Sequence, residues 1–208
     1  MTALVEPRRS GAGARQARSR RYLMCPPAYF GVSYRINPWM WPAVPVDRDL
    51  AWRQWDELRA TYVALGHEVE IIEPGAGLPD MVFAANAGLV VDAKVLTARF
   101  RHDERRGEEA PYHAWFATNG FAAVRTGSHV NEGEGDFAVV GDLILAGTGF
   151  RSDPESHDEV AEFFGRKVVS LRLVDDRYYH LDTALCVLDD EQIAYYPPAF
   201  DDDGRATL

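Results

Sequence analysis

The sequence predicts an α/β protein, a partial α/β propeller built of repeated strand–strand–helix–strand modules, and three observations predict it. Three helical patterns each stop at a glycine and run straight into a β-type segment. Short hairpin patterns alternate with them. The combined unit recurs at about 45 to 55 residues, in the range of propellers and arrays. A unit of that size is too small to bury its own core, so copies are expected to close around a shared axis.

In chain order, residues 1–21 carry Arg8, Arg9, Arg15, Arg18, Arg20 and Arg21 among Gly, Ala and Ser. With no apolar stretch of the secretory kind, they read as a disordered basic arm ahead of a domain spanning 22–208. Residues 22–25 read as a short buried strand, stopped by Pro26-Pro27. An aromatic loop over 30–40 follows, punctuated by Gly31 and Pro38. Asp47 can cap a helix in which Ala51, Trp55, Leu58, Tyr62 and Leu65 form one apolar stripe, ended by Gly66 and followed by a strand over 68–72.

A second helix carries Tyr112, Trp115 and Phe116, ends at Gly120 and leads into a strand over 121–124. A third opens with Asp153 as cap and Pro154 in the first turn, buries Val160, Phe163 and Phe164, and closes at Gly165 before a strand over 167–171. Hairpins are expected over 88–97, 137–145 and 184–196, turning at 92–94, 141–142 and 189–191. The last module lacks the helix and strand that would complete it, because Pro197-Pro198 runs into Asp201-Asp202-Asp203-Gly204. The expectation is therefore a fragment, or a ring that something else closes.

The 208 residues carry a formal net charge of -10, with a pI near 5.0. Such an acidic balance disfavours nucleic acid and anionic membrane and suits a small cationic ligand. Cys25 and Cys186 are too few for a disulfide framework, which points to a reducing cytoplasm. The six histidines show no metal-ligand spacing and no Cys-x-x-Cys occurs, so neither metal nor cofactor is expected.

Equivalent loops of the modules should meet at the axis, and the polar clusters sit there: Pro79-Asp80-Met81-Val82-Phe83, Asn131-Glu132-Gly133-Glu134-Gly135-Asp136, and His180-Leu181-Asp182. Read as extended chain, His180 and Asp182 point to one face, a pairing suited to proton transfer beside a cation. Several carboxylates around one pocket repel unless a cation lies among them, so a guanidinium or amidinium ligand fits. Taken singly, each cluster has a plainer reading as a turn, a surface acid or a core histidine.

Together with the loop Tyr34-Arg35-Ile36-Asn37-Pro38-Trp39-Met40, these motifs resemble the pentein superfamily of guanidine-modifying enzymes, in its bacterial dimethylarginine dimethylaminohydrolase-like and amidinotransferase-like branch. The resemblance runs from about Tyr22 to the end of the chain and implies a propeller of ββαβ units. It implies His180 as general base and acid and Glu132 as its acidic partner, with Glu134 the alternative. It implies Asp80 and Asp182 as guanidinium ligands, Asp136 among the substrate contacts, and Phe83 on the substrate stem. Arg105 and Arg151 would hold the substrate carboxylate, and Asn86 stands where an aspartate is usual.

The reaction implied is hydrolysis of the guanidino C–N bond of arginine or a methylarginine. The alternatives are amidino transfer, or a non-catalytic guanidine-binding protein. In such enzymes a cysteine thiolate attacks the guanidinium carbon. Cys25 and Cys186 both read as buried strand residues, so this chain alone is expected to be inactive.

Overall fold

The structure, a computed structural model, describes residues 19–208. Most of the basic arm expected over 1–21 therefore lies outside the described residues. Its last three residues belong to the folded part: Ser19 Oγ donates to the Gly66 carbonyl at 2.8 Å, and Arg21 opens the first strand.

Strand β1 (Arg21–Met24) pairs in parallel with β2 (Glu68–Ile71), the two joined by helix α1 (Arg48–Ala64). The second module is β3 (Gly88–Val91), β4 (Lys94–Thr97), short helix α2 (Asp103–Arg106), α3 (Glu109–Thr118) and β5 (Ala123–Thr126). The third is β6 (Phe137–Val140), β7 (Leu143–Thr148), α4 (Glu155–Phe164) and β8 (Lys167–Arg172). A fourth begins with β9 (Leu185–Val187) and β10 (Ile193–Tyr195). Where no helix was expected, α5 (Asp202–Thr207) follows; the Asp201 side chain accepts from Gly204 N, so the acidic run is a helix start.

Both three-stranded sheets have the same order, β3-β4-β5 and β6-β7-β8, with an antiparallel hairpin and a third strand returning parallel to the second. The parallel return requires a crossover, and the helix supplies it. The expected module is thus observed, repeated, without a closed ring among the described residues.

The core lies between modules, as expected for units too small to fold alone. Leu89, Val91 and Leu96 of the second module pack with Phe137, Ile144 and Val160 of the third. Leu145 and Leu171 of the third meet Leu181, Leu185 and Phe200 of the fourth. Cys25 and Ile72 of the first meet Met81, Val95, Tyr112 and Phe116 of the second.

Three local readings need correction. Helix α4 is not capped by Asp153, whose side chain pairs with Arg101; Pro154 holds the cap position and Gly165 ends the helix in the left-handed region. Strand β5 starts two residues late because Phe121 leaves the ladder to pack on Trp115 and Phe116. Helix α1 forms on its Asp47 cap, but its apolar stripe is not buried: Leu58 is 46% and Leu65 64% exposed.

Candidate active site

The second, third and fourth modules each enter their first strand through one-turn 3-10 segments, and these turns converge. Pro79–Val82 and Ala84–Ala87 precede β3, Gly133–Gly135 precedes β6, and Leu181–Thr183 precedes β9. The glycines make the convergence feasible. Gly133 sits at φ +55°, and a Cβ there would lie 2.5 Å from the Gly88 backbone. A Cβ at Gly135 would overlap Asn86 Nδ2 and press on the His180 ring at 3.2 Å.

His180 is buried with an acid on each ring nitrogen: Nδ1 is 3.1 Å from Asp136 Oδ1 and Nε2 is 3.3 Å from Glu132 Oε2. The two carboxylates outweigh the burial that would discharge the ring and raise its pKa to about 9. At neutral pH both nitrogens therefore carry protons and donate to the acids. Asn86 Nδ2, 3.5 Å from Nε2, is then a contact and not a hydrogen bond.

Both acids are held from behind. Arg151 Nη1 donates to Glu132 Oε2 at 2.7 Å and Arg101 N to Glu132 Oε1 at 3.3 Å. Asp136 Oδ2 accepts from Ser152 Oγ at 2.6 Å and from Ser152 N at 3.1 Å. Although burial opposes it, the His180 ring and the Arg151 and Arg105 guanidinium groups hold the Glu132 carboxyl at about 2.

The strand alternation expected to carry His180 and Asp182 to one face is not the local geometry. The chain is extended at His180 but turns into 3-10 geometry over Leu181–Thr183, so the two-residue alternation of a strand does not apply. Both side chains nevertheless line one cavity of about 1200 Å³, with Asp80, Asn86, Phe83 and Thr183. Water reaches Asp182 within that cavity, yet the surrounding protein pushes its carboxyl up to about 6. Asp80 is buried, and its Oδ2 accepts from the Tyr34 hydroxyl at 2.9 Å. Burial raises its pKa against the opposing pull of Arg105 and that hydrogen bond.

Arg105 and Arg151 are engaged by the protein itself. Arg105 makes a fork with Glu108, 2.9 Å from Nε to Oε1 and 2.8 Å from Nη2 to Oε2, and also donates to Asn86 Oδ1 and the Asp80 carbonyl. Arg151 donates to Glu132 and to the Ile36 carbonyl, with its guanidinium 4.6 Å from the Tyr179 ring centroid. Asp136 is absent from the cavity wall, because it lies behind the imidazole and serves it. Glu134 turns the other way, toward Val90 N at 3.4 Å, leaving Glu132 as the acid beside His180. Phe83 is half exposed at the cavity wall, edge-on to Phe30.

Sequence reasoning assigned no role to Tyr34, Glu108, Ser152 or Tyr179. Only Glu108 carried a signal, its i,i+3 spacing from Arg105 on a helical turn. Of the thiols, Cys186 is exposed on β9 and not buried as expected, while Cys25 is buried and its pKa pushed up to about 12. Among the described residues neither lines the cavity.

No protein-family profile matches the chain. It is 54% identical over 197 residues to an N(G),N(G)-dimethylarginine dimethylaminohydrolase of Mycobacterium tuberculosis, covering 94% of this chain and 65% of that protein. It is 45% identical over 185 residues to the bifunctional arginine dihydrolase/ornithine cyclodeaminase ArgZ of Synechocystis, covering 87% of this chain and 26% of that protein. The solved N-terminal domain of ArgZ, a cysteine-to-serine mutant bound to substrate, superposes with a TM-score of 0.84 at 43% identity, over 90% of this chain and 70% of that one. These relatives and the repeated modules settle the class: the chain belongs to the guanidine-modifying enzymes of the pentein fold. Within that class it falls in the branch of dimethylarginine dimethylaminohydrolases and arginine dihydrolases, and it spans just under two thirds of the length of the first of them.

Proposed function

We propose that this chain carries the guanidinium-binding and proton-transfer parts of a hydrolase acting on the guanidino C–N bond of arginine or a methylarginine. The observation that carries the reading is the imidazolium of His180, clamped between Glu132 and Asp136, opening on a cavity with Asp80 and Asp182 on its walls. Asp80 and Asp182 receive the planar cation. Phe83 packs on the alkyl stem.

Hydrolysis follows in two stages. A thiolate adds to the guanidinium carbon, the C–N bond breaks, and His180 gives its Nε2 proton to the departing nitrogen. The neutral ring then takes a proton from water as it attacks the same carbon, and the thiolate leaves. Glu132 and Asp136 stabilise the charged ring and fix its orientation. Arg105 and Arg151 act by positioning, the first on Asn86 and Asp80, the second on Glu132. Because neither cysteine lines the cavity, this chain alone binds substrate without turning it over. The unbridged cysteines support a cytoplasmic setting.

Calorimetric titration with arginine and with N(G),N(G)-dimethylarginine tests the reading. Binding by the parent chain should weaken at least about tenfold in Asp80→Asn, which keeps the shape and removes the charge. A folded chain that binds neither ligand would contradict it, as would citrulline or ornithine released by the purified chain.

A further inference from the structure

The candidate site leaves one buried histidine without a task. His157, in the first turn of α4, is 4% exposed and lies edge-on to Phe137, with ring centroids 6.0 Å apart. Phe137 follows Asp136 directly, so through this ring α4 reaches the back of the His180 cluster. Both imidazole nitrogens are engaged. Nδ1 is 2.7 Å from Ser170 Oγ on β8, and Nε2 is 3.4 Å from the Gly147 carbonyl on β7.

The Gly147 carbonyl is open to His157 because the β6–β7 ladder ends there. Gly147 stands opposite Asp136, one step beyond the Phe137–Ala146 pair. Its N–H donates to the Asp136 carbonyl at 2.7 Å, as an antiparallel ladder requires. The return bond is not made. Asp136 N donates instead to the Gly133 carbonyl at 3.0 Å, closing the 3-10 turn that brings Glu132 to His180. A buried carbonyl released from its ladder needs another donor, and His157 Nε2–H is that donor.

This bond fixes the tautomer: with the proton on Nε2, Nδ1 accepts from the hydroxyl of the exposed Ser170. Burial holds the ring below its ordinary pKa, against the Gly147 carbonyl and the Asp136, Asp158 and Glu155 carboxylates. Gly147 also sits where a small displacement matters. A Cβ there would lie 2.9 Å from Leu181 Cβ and 3.6 Å from Asp136 Oδ1, the oxygen that meets both His180 Nδ1 and Leu181 N.

We propose that His157 is a positioning residue for His180: it holds the Gly147 carbonyl where the β6–β7 ladder ends and so keeps the Asp136 carboxylate on His180 Nδ1. The inference rests on the reading of His180 as the proton carrier. A line of hydrogen bonds thus runs from the Ser170 hydroxyl through His157, Gly147 and Asp136 to the His180 ring.

Two substitutions separate the hydrogen bond from the volume. His157→Gln keeps a donor near Nε2, whereas His157→Asn keeps a polar atom near Nδ1 only, so the second releases Gly147 and the first does not. Followed by nitrogen-15 nuclear magnetic resonance in the unliganded chain, His180 should titrate at least about one pH unit lower in His157→Asn than in the parent, since a displaced Asp136 stabilises the imidazolium less. In His157→Gln it should stay within about 0.3 of the parent value. A parental titration in His157→Asn would overturn the proposal, and so would an equal fall in both variants, which would reduce His157 to filling space. Should either variant fail to fold, the His157 signals of the parent decide: a neutral Nε2–H tautomer at pH 7 is expected, and an Nδ1–H tautomer or a charged ring contradicts the proposal. These titrations need no ligand, so their failure is distinct from a failure of the hydrolase reading, which the binding of arginine and dimethylarginine tests.

Discussion

The His180 cluster and the α1–β1 unit are neighbours on one cavity and opposites in their physics. Around His180 each charged group has its partner: two acids for the imidazolium, Arg151 and a backbone N–H for Glu132, Ser152 for Asp136. Along α1 the apolar stripe is half-buried at Ala51, Trp55 and Tyr62 and exposed at Leu58 and Leu65, and among the described residues β1 is paired on one edge only. Mutual constraint makes the first region intolerant of change. The second is tolerant, because little rests on it within the described chain.

The largest expected contrast lies in truncation. Glu132→Ala leaves Arg151 and His180 facing a buried gap and should cost roughly 3 to 5 kcal/mol in chemical denaturation. A loss below about 1 kcal/mol would mean that the cluster is far wetter than its burial indicates. The pH profile comes next. His180 has a folded pKa raised to about 9, so its stabilisation is complete below its ordinary value near 6.5 and disappears as pH climbs through 9, a loss of roughly 3 kcal/mol. Glu132, held at about 2, adds a second decline as pH falls from about 4.5 toward 2. In His180→Gln the alkaline decline should be absent from urea midpoints measured between pH 6 and 10.

Gly135→Ala should cost about 1 to 3 kcal/mol, since the added methyl overlaps Asn86 and moves the His180 ring. Nuclear magnetic resonance shifts of the His180 ring would report the displacement directly. Smallest of all, Leu58→Ala on α1 should stay within about 0.5 kcal/mol, because the side chain is half exposed. A loss comparable to that of Gly135→Ala would show that the stripe is covered in solution.

This contrast also explains what the sequence made legible. The repeated module could be read because hairpin turns, helix stops and strand alternation are local signals, and the glycines at 120, 141 and 165 do stand at such boundaries. The convergence of Asp80, Glu132 and His180 followed from that repeat. Which acid serves which purpose was hidden, since it depends on side-chain direction within one-turn 3-10 segments. Glu132 and Glu134 are two residues apart, yet one meets His180 and the other meets Val90. Arg105 and Arg151 line the cavity, and their partners Glu108 and Glu132 could not be read from the sequence because those pairs form only on folding. The α1 stripe shows the reverse case, a local pattern that is real and whose covering surface lies elsewhere.

The most direct test of the account is the titration of His180 by nitrogen-15 nuclear magnetic resonance. With Glu132 and Asp136 on its two nitrogens, the ring should stay doubly protonated through neutral pH and titrate near 9. A ring that is a single neutral tautomer at pH 7, titrating at or below about 6.5, would contradict the proton-donating role assigned to it.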